Sequence, residues 1–467
     1  MRSCSLLLPS FALFSFLSLV AGSPLLLDSL LNDDASNPNP SSQTESLPAS
    51  SDSSPSVASP NTVVAHFMVG NVFRYTEEDW VSEMTLAQRY GFDGFALNIG
   101  PDAWQRDQIV KAFSAGEKVG FKLYISFDMS CISCVSDTDK TLLVDYINDF
   151  SDKPAYLQFN GKPLVSAFSG QNCAFGASDP NAGWRDIVAQ TSVSFVPCFF
   201  VQPEDLPKWD SLDGVSNWNS GWPSGDYDID FSRDDDWINH LDGRPYMASV
   251  SPWFFTHYGR NSWNKNFVYR ADDFLLSQRW ELLVSNRDRI PIVQFISWND
   301  FGESHYIGPV LANTDQPNSQ AWVNGFDHQA WLEVVKFYIA AYKTGPYPRI
   351  TQDRVVMWSR LFPTDAEVDT DPVGPPEHHD WVEDSLWAVA FLTDAAKFTV
   401  YCGASSNSVS ASSGGLVKLK LPLKSDCSVS ALIERNGDRV VDFAPANFDF
   451  STTPSTYNFN AFVAASP

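Results

Sequence analysis

From Val63 onward, short apolar runs alternate with stretches whose apolar positions recur every three or four residues. The runs Val63–Gly70, Gly94–Ile99, Lys122–Phe127, Pro163–Phe168, Ser194–Phe200, Val215–Trp218, Tyr246–Val250 and Ile292–Trp298 read as strands. A helical period appears between them at Thr76–Tyr90, Gln105–Val119, Asp139–Phe150, Trp184–Gln190, Asp235–Leu241 and Asp272–Val284, and Ala330–Tyr342 closes the series. Strands alternating with helices imply a parallel sheet, and runs that stay apolar imply strands buried on both faces. About eight such units over roughly 280 residues predict an α/β fold of the (β/α)8 TIM-barrel type. An open doubly wound sheet would want a Gly-rich phosphate loop after the first strand. None follows Val63–Gly70.

After Gly345 the period shortens. Ser385–Thr393, Lys397–Cys402, Gly415–Leu423 and Val429–Arg435 are strand-like and separated by turn residues, among them the hairpin signal Asn436-Gly437. This predicts a C-terminal all-β, sandwich-like domain over 347–467, behind a catalytic barrel over 62–346. At the other end, Arg2, the apolar run Leu6–Val20 and the small residues Ala21, Gly22 and Ser23 form the three parts of a secretory signal peptide, 1–22. Residues 23–61 follow as a Ser/Pro-rich linker with too few large apolar groups to offset the entropy of ordering. No later segment is long and apolar enough to span a membrane. The expectation is a secreted protein, extracellular or in a cell wall.

Charge narrows the partners. The 467 residues carry 56 acidic and 31 basic side chains, a net charge of −25. Such a surface repels nucleic acid and anionic membranes and tolerates neutral partners, so no nucleic acid, no membrane and a monomer are expected. The 16 Trp exceed what packing alone asks for, and indoles make good platforms for sugar rings. Seven cysteines minus Cys4, which leaves with the signal, give an even six, the mark of disulfides in an exported chain. Cys402 and Cys427 are expected to pair. Cys131, Cys134, Cys173 and Cys198 allow three pairings, with 131–134 and 173–198 preferred. No metal or organic cofactor is expected, since no His-x-x-x-His or Cys₂His₂ spacing occurs. A Gly-x-Ser-x-Gly nucleophile elbow is also missing.

The chemistry concentrates in Pro291–His305. An apolar run there ends abruptly in Trp298, Asn299, Asp300, Gly302, Glu303 and His305, followed by Tyr306. Parallel α/β folds place ligands at the carboxyl ends of their strands. Other strand ends are polar too: His66 and Asn71 after the first, Asn98 after the second, Asp128 after the third, Ser169 and Gln171 after the fourth, Gln202 after the fifth. Trp218, Asn219 and Trp222 follow the sixth, and Ser251, Trp253 and His257 the seventh. Packing alone does not explain polar groups at one end after another. Paired acids beside indoles are what glycosidic cleavage needs: one carboxyl to protonate the leaving oxygen, one carboxylate as base or nucleophile, and a flat apolar face for the sugar. Asp128, Asp300 and Glu303 are the candidate catalytic acids. His66, Asn98, Trp218, Asn219, Trp222, Trp253, His257, Trp298, Asn299, His305 and Tyr306 are the candidate substrate contacts.

Four motifs in fixed order, His66-Phe-Met-Val-Gly-Asn71, Asp93-Gly-Phe-Ala-Leu-Asn-Ile-Gly100, Leu123-Tyr-Ile-Ser-Phe-Asp-Met-Ser130 and Trp298-Asn-Asp-Phe-Gly-Glu-Ser-His-Tyr-Ile-Gly-Pro309, resemble the fungal endo-α-1,3-glucanases (mutanases) of glycoside hydrolase family 71. The resemblance runs from about Val63 to the carboxyl terminus. It implies a barrel with an appended β-domain that hydrolyses α-1,3-glucan with inversion, and it makes Asp300, Glu303 and Asp128 the essential acids. The Ser/Pro stretch before the barrel, rather than after it, departs from the family pattern and leaves the core untouched. Glu303 is the expected general acid, because its side chain is longer and nearby Asp300 should raise its pKa. Asp300 or Asp128 would then activate water. Two rivals are a catalytically silent protein that binds wall polysaccharide in the same groove, and a barrel glycosidase acting on another glucan linkage.

Overall fold

The computed structural model describes residues 61–467. The expected signal peptide and all of the expected linker but Asn61 lie outside those residues. Eight parallel strands run over Thr62–Met68, Gly94–Ile99, Lys122–Asp128, Lys162–Phe168, Ser194–Phe195, Val215–Asn217, Tyr246–Val250 and Ile292–Phe295. They hydrogen-bond in the order five, four, three, two, one, eight, seven, six. The two ends of that order approach each other, since Ser216 N donates to Pro197 O at 2.8 Å and Asp213 N to Phe195 O at 2.9 Å. The sheet therefore curls. Val63, Val64, Ala65 and Phe67 of the first strand are fully buried, which is why that run shows no in-and-out alternation.

Local signals place the covering helices. Thr76 and Asp79 close a capping box at the start of helix Glu77–Arg89, and Glu77, Glu78 and Asp79 lie against its positive end. Helix Gln105–Val119 stops at Gly120, whose φ of 71° is left-handed and free of strain only without a side chain. Trp80 Nε1 donates to Gln108 Oε1 at 2.9 Å and ties these two helices together. The expected strand Ser194–Phe200 is cut to Ser194–Phe195: Pro197 has no N–H to give the sixth strand, while toward the fourth Val196 N and Cys198 N still donate to Val165 O and Ala167 O, at 2.9 and 2.8 Å.

From Arg354 the chain builds two antiparallel sheets. One orders Gly415–Pro422, Ser385–Leu392, Arg354–Ser359 and Phe462–Ala465; the other orders Ser405–Ala411, Ala396–Cys402, Cys427–Arg435 and Asp438–Phe443, with Asp449–Phe450 beside Cys427–Arg435. Met357, Leu386 and Ala388 of the first sheet share one core with Phe398, Val400 and Ile433 of the second. Asn436-Gly437 makes the expected hairpin, with φ of 55° and 91°. Ser405–Ala411 escaped the sequence reading because it is an exposed run of Ser and Asn.

This region is bonded to the loops and the helix between the seventh and eighth strands. Trp253 Nε1 donates to Phe459 O at 2.9 Å, Arg360 Nη2 to Asp272 Oδ1 at 2.7 Å, and Lys418 Nζ to Glu281 at 2.8 Å. The cysteine reading needs correction. Cys402 pairs with Cys427 as expected, but Cys134 pairs with Cys173 across a 5.1 Å Cα separation. Phe175 N donates to Cys134 O at 2.9 Å, so the loops after the third and fourth strands meet there. Cys198 is a free, buried thiol on the curled sheet. Among the described residues, no helix is long and apolar enough to cross a membrane.

Candidate active site

Beyond Phe295 the eighth strand leaves the ladder and folds back on itself. Ser297 N donates to His305 O at 2.9 Å, Ile307 N to Ser297 O at 3.1 Å, and Trp298 N to His66 O at 2.8 Å. Gly308 permits this return, since a Cβ there would lie 2.5 Å from Trp298 Nε1. The fold-back turns Asp300, Glu303 and His305 into one buried cluster whose polar atoms lie within 4.8 Å of one another. Ser297 Oγ accepts from Asp300 N at 2.9 Å and sits 2.9 Å from His305 Nδ1. His305 Nε2 is 3.1 Å from Glu303 Oε2. The other carboxylate oxygen of Glu303 faces Lys265 Nζ at 3.5 Å.

Two carboxylates this close cannot both ionise freely. Burial, and then the charge on Glu303, push Asp300 up to about 6. Burial would raise Glu303 as well, but Lys265 and His305 outweigh it and hold this carboxylate down at about 2. The expectation that Asp300 would raise Glu303 is thus reversed: the Lys265 ammonium and the His305 ring sit on Glu303, so Asp300 keeps the proton. Asp128 closes the third strand; burial raises its pKa, while Ser130 and Lys265 act against that. Ser130 Oγ donates to it at 2.5 Å. Burial, and then His305, lower His66 to about 3, which makes it a neutral imidazole, with Gln294 Nε2 at 3.3 Å from its Nδ1.

Aromatic rings wall the cluster. Trp218 meets His66 edge-on at 4.9 Å, and Trp222 lies 5.9 Å from His305 and 5.3 Å from Tyr269. Asn98 stands at the end of the second strand, in register with Met68 and Ser126. Asn219 holds Arg233 through its carbonyl at 2.8 Å.

Five expected contacts turn elsewhere. Trp298 points outward between sheet and helices, where Nε1 donates to Glu83 at 2.7 Å and Phe95 lies 5.1 Å away. Both ends of the Asn299 amide clamp the Met68 backbone, at 2.7 and 3.1 Å. Trp253 is buried among Trp331, Trp387 and Arg360. Tyr306 stacks on His328 at 4.1 Å. His257 sits between Asn266 at 2.8 Å and Asp371 at 3.0 Å.

Two residues went unnoticed in the sequence. Lys265 lies in the polar loop of the hairpin formed by Phe255–His257 and Asn266–Val268, and only that pairing returns it to the carboxylates. Glu83 did carry a signal: it interrupts the apolar stripe Trp80, Met84, Ala87. Burial pushes it up to about 7, although Trp298 and Tyr75 donate to it.

Asp300, Glu303 and His305 have the donor types for a metal ion. However, Ser297 and Glu303 occupy both nitrogens of His305, and the Lys265 ammonium already supplies positive charge beside Glu303. That arrangement suits proton exchange between carboxyl groups. Ser297, His305 and Glu303 also have the connectivity of a hydrolytic triad, but Ser297 is fully buried and out of a substrate's reach.

The family model described as Glycosyl hydrolase family 71 matches residues 59–467. Glucan endo-1,3-alpha-glucosidase agn1 of Schizosaccharomyces pombe is 36% identical over 416 residues, covering 86% of this chain and 93% of that protein. A mutanase of Penicillium rubens is 33% identical over 411 residues, 86% of this chain and 88% of its own length. The ascus wall endo-1,3-alpha-glucanase of Schizosaccharomyces pombe is 29% identical over 359 residues, 72% of this chain and 79% of that protein. Among solved structures, a GH99 endo-alpha-mannosidase from Bacteroides thetaiotaomicron superposes with a TM-score of 0.47 at 11% identity, over 61% of this chain and 98% of that one.

Proposed function

The chain belongs to glycosyl hydrolase family 71, and from that premise we propose that it is a glycosidase hydrolysing internal bonds of α-1,3-glucan by carboxylate acid–base chemistry. The buried Asp300–Glu303 pair, one carboxyl holding its proton and the other ionised beside Lys265, carries the reaction type. The relatives named for α-1,3-glucan support the linkage. We read 62–346 as a closed (β/α)8 barrel, supported by the bonds joining Ser216 to Pro197 and Asp213 to Phe195, and 347–467 as a β-sandwich around the shared core. Export to the medium or wall fits the disulfides Cys134–Cys173 and Cys402–Cys427.

In this reading Asp300 donates its proton to the glycosidic oxygen as the bond from C1 breaks. Glu303 stays anionic and stabilises positive charge at C1. Inversion needs acid and base roughly 6.5–9.5 Å apart to admit water. Asp300 and Glu303 come within 4.8 Å, so Asp128, on the third strand, is assigned as the base that takes a proton from the attacking water. The same closeness favours one alternative, a retaining reaction with Glu303 as nucleophile, for which carboxyl groups stand about 5–5.5 Å apart.

Incubation with α-1,3-glucan should release reducing ends, and proton NMR of the first products should show the β-anomer. The α-anomer first would establish the retaining route. Polymer bound without reducing ends would refute the glycosidase reading. Activity should also fall as pH rises through about 6, where Asp300 loses the proton it must donate. Lys265 lowers the pKa of Asp300, Glu303 and Asp128. Lys265→Met should therefore move the alkaline limb to higher pH; an unmoved limb in the pH–kcat/KM profile counts against Asp300 as donor.

A further inference from the structure

We propose a second glucan-binding site, remote from the catalytic pair, in a cleft of about 520 Å³ between helix Trp331–Thr344, the turn after it and the edge of the Gly415–Pro422 strand. The assignment of its ligand as an α-1,3-glucan chain rests on the function proposed above. The volume falls within the range of ligand clefts, roughly 300–1,000 Å³.

The cleft joins a fixed aromatic face to polar groups. Tyr347 is 48% exposed, unusual for a large ring in this chain. One side of it stacks on Phe337, with centroids 5.4 Å apart and planes 19° apart, and Tyr338 meets it edge-on at 6.1 Å. Its orientation is thus set while its other face stays open, the arrangement onto which the C–H face of a pyranose packs. Glu281 is held in the wall by Lys418 Nζ at 2.8 and 2.9 Å and by Tyr338 OH at 2.8 Å. Arg349 is exposed and makes no hydrogen bond or ion pair among the described residues. In a chain with 56 acidic and 31 basic side chains, an unpaired guanidinium beside an open aromatic face stands out. Its donors suit the hydroxyls of a neutral sugar.

Position gives the site its use. The turn follows Tyr342, whose carbonyl accepts from Asn61 Nδ2 at 3.0 Å, and Lys343, which bonds Asp93 at 2.6 Å. Asn61 and Asp93 directly precede the first and second strands, so the cleft lies at the end where the strands begin. Asp300 and Glu303 lie at the end where they finish. A chain held in the cleft leaves the catalytic mouth free, and tethering raises the local concentration of an insoluble polymer there.

The test compares full-length Glu303→Gln protein, chosen so that cleavage does not release it, with the same protein also carrying Tyr347→Ala and Arg349→Ala. Depletion from solution onto insoluble α-1,3-glucan should weaken about tenfold in the triple variant. In the active background, Tyr347→Ala/Arg349→Ala should slow hydrolysis of the insoluble polymer and leave kcat/KM on short soluble α-1,3-oligosaccharides unchanged. Equal retention of the two inactive proteins overturns the site. An equal loss on soluble oligosaccharides also overturns it, since the substitutions would then act through the fold. If the wild type cleaves a different glucan, the proposed linkage fails, and the retention comparison on that polymer still decides whether the cleft binds.

Discussion

Glu303→Gln and Asp300→Asn are each expected to lower kcat on α-1,3-glucan by about 10²–10⁴-fold, the usual worth of a positioned proton donor for Asp300 and of a fixed charge facing the transition state for Glu303. Their pH profiles should differ. The negative charge of Glu303 helps hold Asp300 near 6; without it the proton leaves Asp300 more easily, so the residual activity of Glu303→Gln should fall off at lower pH than wild type. Asp300→Asn removes the donor, and its residual activity should lose the limb near 6 altogether. Azide assigns the remaining role. Added to Asp128→Ala it should restore turnover and give a β-glycosyl azide, because a small anion replaces the water that Asp128 would activate. Rescue of Glu303→Ala in place of Asp128→Ala would move that role to Glu303, as nucleophile if the wild type releases the α-anomer first and as base if it releases the β-anomer.

Arg279→Met should be the costliest substitution for stability. Arg279 is 0% exposed and binds Asp234 through two bonds, at 2.6 and 2.7 Å, while its Nε reaches Ser249 O at 2.9 Å. Tyr246 OH donates to the same carboxylate at 2.8 Å. The thioether leaves Asp234 buried without its counter-charge, at a cost of about 3–5 kcal/mol. Denaturant midpoints measure it. A double variant, Arg279→Met with Asp234→Leu, should recover part of the loss, because the stranded charge is gone. A single variant as stable as wild type would show that Asp234 finds another partner or takes up a proton without penalty.

The alternation of strands and helices was legible because strands buried on both faces leave unbroken apolar runs, as in Val63–Phe67. The acid cluster was legible for a related reason: charged residues directly after such a run have only the strand end to occupy. Which way a neighbouring ring turns was not. Trp298 and Trp222 both follow strands amid polar residues, yet one faces the helices and the other the mouth. That choice depends on partners distant in sequence, Glu83 for the first and Tyr269 for the second. The reversal at Glu303 has the same origin. Proximity in sequence showed Asp300, but Lys265 reaches the pair through a hairpin register that no local pattern announces. The preferred pairing of Cys131 with Cys134 and of Cys173 with Cys198 failed likewise, since joining Cys134 to Cys173 requires two loops on adjacent strands to meet.

The Lys265 hairpin has a second set of partners on its outer side. Its strand Asn266–Val268 exchanges backbone hydrogen bonds with Glu377, where Val268 N donates to Glu377 O at 3.1 Å and Glu377 N to Asn266 O at 2.9 Å. Asn266 Nδ2 also donates to Gly374 O at 3.1 Å, and His257 meets Asp371. The ammonium that decides which carboxyl keeps its proton is therefore moored to chain more than a hundred residues downstream. An engineer seeking a minimal catalyst by trimming at residue 346 would keep every acid and lose the anchor of the cation that ranks them. Shuffling this protein's carboxyl-terminal region with that of a cousin would, for the same reason, retune the working pH.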